Sequence, residues 1–154
     1  MAGPEDRLAE LGLTLPEVAA PVAAYVPSVR TGDLVFTAGQ LPLRKGELLR
    51  TGKVGTGVTE EEAHACAQQC ALNALAAVKA EIGDLAKIVR VVKVTVFVAS
   101  TTHFTGQPRV ANGASELLGE VFGDAGRHAR SAVGVPVLPL DAPVEVELVV
   151  EVRD

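Results

Sequence analysis

Tryptophan is absent, tyrosine occurs once and phenylalanine four times, so aromatic residues make up only 3% of the 154-residue chain. A protein that stacks single-stranded bases on aromatic side chains needs more than this, and so does a large aromatic pocket. No apolar run approaches the ~18 residues that a membrane-spanning helix requires. The polar start MAGPEDRLAE also lacks the apolar stretch of a secretory signal. Clusters of lysine and arginine are missing, and with a formal net charge of −5 the chain offers nucleic acid no general attraction. Two cysteines, Cys66 and Cys70, in a chain with no signal read as reduced thiols rather than a disulfide framework. These absences point to the cytoplasm, with neither membrane nor nucleic acid as partner.

What is present is ordinary for a folded protein: 48% hydrophobic and 21% charged residues. The length suits one domain spanning 1–154, large enough for a real core. Residues 4–12 predict a short helix, with Pro4 at its start, acids in the first turn and Gly12 as a stop. Val29 to Gly32, a turn at 31–33, and Leu34 to Phe36 read as two strands, and 43–58 as glycine-bearing loop with a brief strand at 47–49. Thr59 followed by Glu62 is a capping box that opens a helix to Ile82, closed by Gly83. Ala63, Cys66, Ala67, Cys70, Ala74 and Val78 recur along it at helical spacing.

Residues 88–99 are β-branched and alternate Val92, Val94, Val96 and Val98 against Val91, Lys93, Thr95 and Phe97, which predicts a well-buried strand. After a loop through Gly106 and Pro108 comes a second helix, about 110–121, then strands at 128–137 and 144–152. The last alternates Val144, Val146, Leu148, Val150 and Val152 against Glu145, Glu147, Val149 and Glu151. Two strands before the first long helix and two after the second imply an α+β domain, with two helices on one face of a mixed sheet. The uncovered face then carries Val149 among polar side chains, and oligomerisation is the physical expectation.

Familiar chemistry is scarce. His64, Cys66, Cys70 and His103 do not have the loop-borne spacing of a zinc site, and cysteines four apart among alanines suit small buried thiols. Neither a P-loop nor a G-x-S-x-G elbow occurs. His128, just before a strand, suits a general base or a structural imidazole. Arg130 lies inside the apolar stretch ARSAVGV, where a buried cation needs an anion. Glu145 opens the last strand on the face opposite its apolar row. The bland alternative for both is a solvent-facing strand residue.

The run Arg130-Ser131-Ala132-Val133-Gly134-Val135, then Leu138-Pro139, then Val144-Glu145-Val146-Glu147, resembles the C-terminal signature of the RidA/YjgF family. Other parts agree in order: Tyr25, Gly39-Gln40-Leu41-Pro42, Gly57 to Glu62 opening the long helix, Asn73, Val94 to Val98, and Val110-Ala111-Asn112. The resemblance covers most of residues 20–152. It implies the chorismate-mutase-like α+β fold, a homotrimer with clefts between subunits, and no cofactor or metal. The activity it implies is hydrolysis of short-lived 2-imino or enamino acids to 2-keto acids and ammonia.

By the same resemblance, Arg130 grips the substrate carboxylate in a two-pronged salt bridge and Glu145 orients or activates water. Tyr25 lines the cleft, Gly39 supplies a backbone group, and Asn112 stands beside the arginine. Departures mark a divergent subgroup. Ala38 stands where the family usually has serine, and Ala132 where many members have cysteine. Residues 104–112 and the N-terminal extension 1–15 are longer than the short form. An ordered water or nearby Thr37 would replace the hydroxyl missing at Ala38; a cleft sealed by apolar atoms would not support catalysis. A non-catalytic trimer that binds a small carboxylate, or regulates, is the alternative; the endoribonuclease label of the family fits a charge of −5 poorly.

Reading 128–137 and 144–152 as a hairpin closed by 138–143 places Arg130 and Glu145 on one face. They are then about six residues apart along the ladder, roughly 20 Å at about 3.4 Å per residue. One small substrate would then need the two residues from different chains.

Overall fold

A computed structural model describes residues 2–18 and 24–154. In chain order its elements are α1 (Pro4–Glu10), β1 (Ser28–Thr31), β2 (Leu34–Thr37), β3 (Leu43–Arg44), β4 (Glu47–Leu48), β5 (Lys53–Val54) and β6 (Gly57–Val58). Then follow α2 (Glu60–Ile82), β7 (Ile88–Ala99), α3 (Gln107–Phe122), β8 (Ala129–Val135) and β9 (Val144–Val152). The main sheet runs β1-β2-β9-β7-β8. β8 is parallel to β7, and every other neighbour in this sheet is antiparallel. The expected α+β architecture is therefore present, with α2 and α3 on one face of a mixed sheet.

Each element has a local cause. Thr59 Oγ1 accepts from Glu62 N at 3.1 Å while the Glu62 carboxylate accepts from Thr59 N at 3.0 Å, so the capping box forms as read. α3 begins at Gln107, three residues earlier than the loop reading allowed, because Pro108 falls in its first turn. A proline there gives up an N–H that has no partner in any case. α1 is pinned to α3 by Arg7 Nη1 donating to Val121 O at 3.2 Å and by buried Leu8, and to α2 by the ion pair of Glu5 with Lys79.

The pattern of β9 holds: Val144, Val146, Leu148, Val150 and Val152 are all buried against the helices. That of β7 holds only in its second half. The pairing of β7 with β9 slips between Ile88 and Arg90 and again between Val91 and Lys93. Each slip is a bulge that inserts one residue and inverts the alternation. Val91 and Val94 therefore both face the helices, while Val92, expected on the apolar row, is 36% exposed.

A larger correction concerns β8 and β9, which form no hairpin. β7 lies between them, pairing with β8 from Lys93–Ala129 to Ala99–Val135 and with β9 on its other edge. The connection 136–143 crosses the end of β7, where Ala99 N donates to Pro143 O at 2.9 Å. A parallel pair requires a crossover, and α3 supplies it.

No helix among the described residues covers the far face of the sheet. Val29 pairs with Phe36 and Phe36 with Val149, and on this face Val29, Phe36 and Val133 are 53%, 43% and 44% exposed.

α2 and α3 approach closely because α2 presents small residues, Ala63, Cys66, Ala67, Cys70, Ala71 and Ala74, all buried. A Cβ on Gly113 of α3 would lie 2.9 Å from the His64 carbonyl carbon, closer still to its oxygen, and 3.2 Å from Ala67 Cβ. One methyl group therefore forces the helices apart. Gly113→Ala should lose about 1–3 kcal/mol of unfolding free energy, read as a lower urea midpoint at unchanged slope.

Candidate functional site

The residues singled out in the sequence fall into two groups on opposite faces of the sheet. The first is built on β8 and α3. Arg130 pairs with Val94 and Val94 with Leu148, so all three side chains share the helix-covered face. β8 is an edge strand, and there the guanidinium meets α3. Arg130 Nη1 donates to Asn112 Oδ1 at 2.8 Å and to Ser115 Oγ at 3.1 Å. Among the described residues Nε and Nη2 have no partner, so one edge of the guanidinium fork stays free. Ala132 points the same way, paired with Val96 and packed against the core.

Ser115 Oγ is in turn 2.8 Å from His128 Nε2, and His128 Nδ1 is 2.6 Å from Gly126 O. His128 thus stands in a chain of hydrogen bonds that ends on Arg130. Ser115 escaped the sequence reading. Its signal is spacing: three residues after Asn112 on a helix, it shares that residue's face.

The second group lies on the open face. Glu145 pairs with Phe97, which pairs with Val133. β2 reaches it irregularly: Phe36 pairs with Val149, but Gln40 bridges Val146, so residues 37–39 carry one more residue than the strand opposite. Thr37 fixes this bulge by accepting from Leu148 N at 2.9 Å. A Cβ on Gly39 would lie 2.8 Å from the Glu145 carboxyl carbon and closer to Oε2, so a side chain there would push that carboxylate from its place. Ala38 N donates to Pro27 O at 2.8 Å, which brings the 25–27 segment to the same end of the sheet. Tyr25 is 47% exposed there. Thr37 does not replace the hydroxyl missing at Ala38: buried on the helix-covered side, it points away from Glu145.

The structure thus brings Arg130, Asn112 and Ala132 together, and separately Glu145, Gly39 and Ala38, with Tyr25 nearby. It does not bring the two sets together within one chain. The expected shared face fails because the row of Arg130 and that of Glu145 differ by three positions, an odd number. The separation is roughly 10 Å along the strands and roughly 10 Å across them.

Burial raises the Glu145 carboxyl above the usual range, and the Glu147 charge raises it further. Cys70 is raised well above an ordinary thiol by burial, and burial lifts Cys66 to about 11. Both are inert small core residues rather than nucleophiles. Among the described residues no three histidine, cysteine or acidic side chains gather as a metal would need, and no helix is long and apolar enough to cross a membrane. A cleft of about 980 Å³ opens elsewhere, between residues 12–18, the β3–β4 turn and the Gln69–Asn73 face of α2. It touches neither group, and its buried amides are satisfied: Gln69 Nε2 donates to Asn73 Oδ1, and Asn73 Nδ2 to the carbonyls of Leu41 and Leu43.

Comparison with known proteins places this geometry. A family model described as "YjgF/chorismate_mutase-like, putative endoribonuclease" matches residues 5–152. Protein TCP17 of Trypanosoma cruzi is 46% identical over 149 residues, 96% of this chain and 93% of that one. A 2-iminobutanoate/2-iminopropanoate deaminase of Dermatophagoides farinae is 32% identical over 141 residues, 92% of this chain and 95% of its own. The crystal structure of Atu1372 from Agrobacterium tumefaciens, a protein of unknown function, superposes with a TM-score of 0.90 at 47% identity. That match covers 97% of this chain and 91% of the other.

A carboxyl group raised on folding binds its proton more tightly in the native state. Glu145 therefore favours folding below the unfolded carboxyl range, and that advantage disappears as pH rises through its native value. Glu145→Gln should melt at a higher temperature than the parent at about pH 8 and equally at about pH 3. Equal melting at both would mean that the Glu145 charge carries no cost.

Proposed function

The chain belongs to the YjgF/chorismate mutase-like family, and from that membership we propose that it hydrolyses small 2-imino acids to 2-keto acids and ammonia. All of residues 1–154 act as one domain, in the cytoplasm. Support comes first from deaminase relatives 32% identical over 92% and 84% of the chain. The observation that carries the reading is chemical. The two groups are a guanidinium with a free edge and a carboxylate of raised pKa, the pair such a reaction needs.

Arg130 holds the substrate carboxylate, with Asn112 fixing the guanidinium. A carboxylate whose pKa is raised by burial is a stronger base than an exposed one, so it accepts a proton from water at lower cost and can return it. Glu145 takes that proton as the water oxygen adds to the imine carbon. It returns that proton to the nitrogen, giving the carbinolamine, then takes the hydroxyl proton and delivers it to the amine as the C=O bond forms, the C–N bond breaks and ammonia departs. Gly39, Ala38 and Tyr25 frame the carboxylate side of the cleft, and Ala132 lies beside the arginine. Neither metal nor cofactor enters these steps.

Residues on opposite faces of one sheet cannot flank one small molecule. The active cleft therefore forms between copies, the Arg130 edge of one subunit meeting the Glu145 face of the next. Three such head-to-tail contacts close into a homotrimer. The exposed Val29, Phe36 and Val133 on the Glu145 side are the surface such a neighbour would cover.

A second reading has its own observation. Ala38 and Ala132 remove a hydroxyl and a thiol, and Thr37 turns away, so the same cleft serves a non-catalytic carboxylate-binding or regulatory trimer. The assay that separates them generates the imine in situ with an amino-acid oxidase and traps what escapes with semicarbazide. The parent should cut semicarbazone yield, while Arg130→Lys, folded but with one ammonium for two parallel hydrogen bonds, should lose about tenfold or more in kcat/KM. No effect of the parent on the trapped fraction leaves the binding reading. Subunit mixing tests the shared cleft. Arg130→Ala and Glu145→Ala trimers, unfolded together and refolded at equal ratio, should regain activity at about a quarter of the clefts. Mixed trimers without activity would overturn it.

A further inference from the structure

We propose that Ser115 and His128 are positioning residues for Arg130, forming a hydrogen-bond chain of fixed direction that commits the guanidinium to a side-on ligand. The inference rests on the reading of Arg130 as the carboxylate anchor. Its starting point is Gly126 O, which can only accept, so the proton facing it must sit on His128 Nδ1. In the neutral ring Nε2 is then an acceptor, and the Ser115 hydroxyl must be its donor. With its proton so directed, Ser115 Oγ presents lone pairs to Arg130 Nη1. Each link allows only one direction for the next.

The end of the chain decides how a ligand binds. Nη1 carries two protons, and Asn112 Oδ1 and Ser115 Oγ take both. An end-on carboxylate needs Nη1 and Nη2 and would have to displace one of these contacts. The edge left open is Nε with Nη2, whose parallel protons match the two oxygens of a planar carboxylate. Asn112 and Ser115, three apart on α3, hold the guanidinium plane while the imidazole holds the hydroxyl. Neither His128 nor Ser115 touches the ligand. This assigns His128 a role other than general base: it orients the chain that ends on Arg130.

NMR of the full-length protein tests the chain without a substrate. Long-range proton–nitrogen spectra at about pH 8.5, where an ordinary imidazole is neutral, should show His128 protonated on Nδ1; the Nε2 tautomer would overturn the proposal. Separate Arg130 Nη resonances in the parent should merge in Ser115→Ala and in His128→Phe as the guanidinium turns freely, and return in Ser115→Thr. Unchanged Nη signals in either folded variant would also overturn it. With 2-oxobutanoate as probe, the Nε–Hε signal should move together with Nη2, whereas a shift confined to the Nη groups would mean end-on binding and defeat the side-on claim. In the imine assay Ser115→Ala should raise KM about fivefold with kcat within about twofold, the size of one lost hydrogen bond in binding, and an unchanged KM counts against the role. If the parent neither binds the keto acid nor hydrolyses the imine, the deaminase reading fails alone. The tautomer and the Nη signals still decide the hydrogen-bond chain.

Discussion

β7 is hydrogen-bonded along both edges, parallel to β8 and antiparallel to β9, and this three-strand ladder fixes the face and the height of Arg130, Ala132 and Glu145. A register slip of one residue on either edge would move Arg130 or Glu145 to the other side of the sheet. The register is held by what lies beneath it. Val94, Val96 and Val98 are fully buried beside Val144, Val146 and Leu148 and beneath the α2–α3 pair, and a slip by one residue would turn such a row out to water. The packing of a valine row thus decides which face each charged group occupies.

The two charged groups are kept in contrasting surroundings. Arg130 is surrounded by neutral acceptors, an amide oxygen and a hydroxyl, which orient a cation without neutralising it. Glu145 is pressed against glycine backbone with a second carboxylate, Glu147, on the same face, so its charge is discouraged rather than compensated. Neither has an ion-pair partner among the described residues. A protein selected for stability alone would pair them; leaving both unpaired keeps a cation and a carboxylate available to something from outside.

Most of the fold could be read from local signals because those signals are local in cause. The capping box at Thr59, the alternation of β9 and the small-residue stripe of α2 act within a few residues and appear as expected. Apart from the start of α3, what failed involved partners distant in sequence. The bulges of β7 come from matching one strand to another, and nothing near Val92 announces them. The hairpin expectation for β8 and β9 failed because their short connection mimics a turn while β7, from far upstream, takes the place between them. The same error put Arg130 and Glu145 on one face. Arg130 and Glu145 were visible as residue types and as a resemblance, Asn112 and Gly39 through the resemblance alone. Ser115, an ordinary helix serine, acquires meaning only once β8 is docked beside α3.

β9 follows every other strand in chain order, yet it lies in the middle of the sheet. Before it arrives, the β1–β2 ribbon and the β7–α3–β8 unit share no strand pairing, and the valine row of β7 has one bare edge. Folding therefore cannot advance steadily from one end of the chain to the other. On a growing chain the two parts of the sheet can join only once β9 has been made, a closure over long sequence separations that is slow and leaves apolar edges open meanwhile. The glutamates of β9 then have a part in assembly as well. Glu145, Glu147 and Glu151 alternate through an otherwise aliphatic segment and discourage it from pairing with another copy of itself before it finds its place.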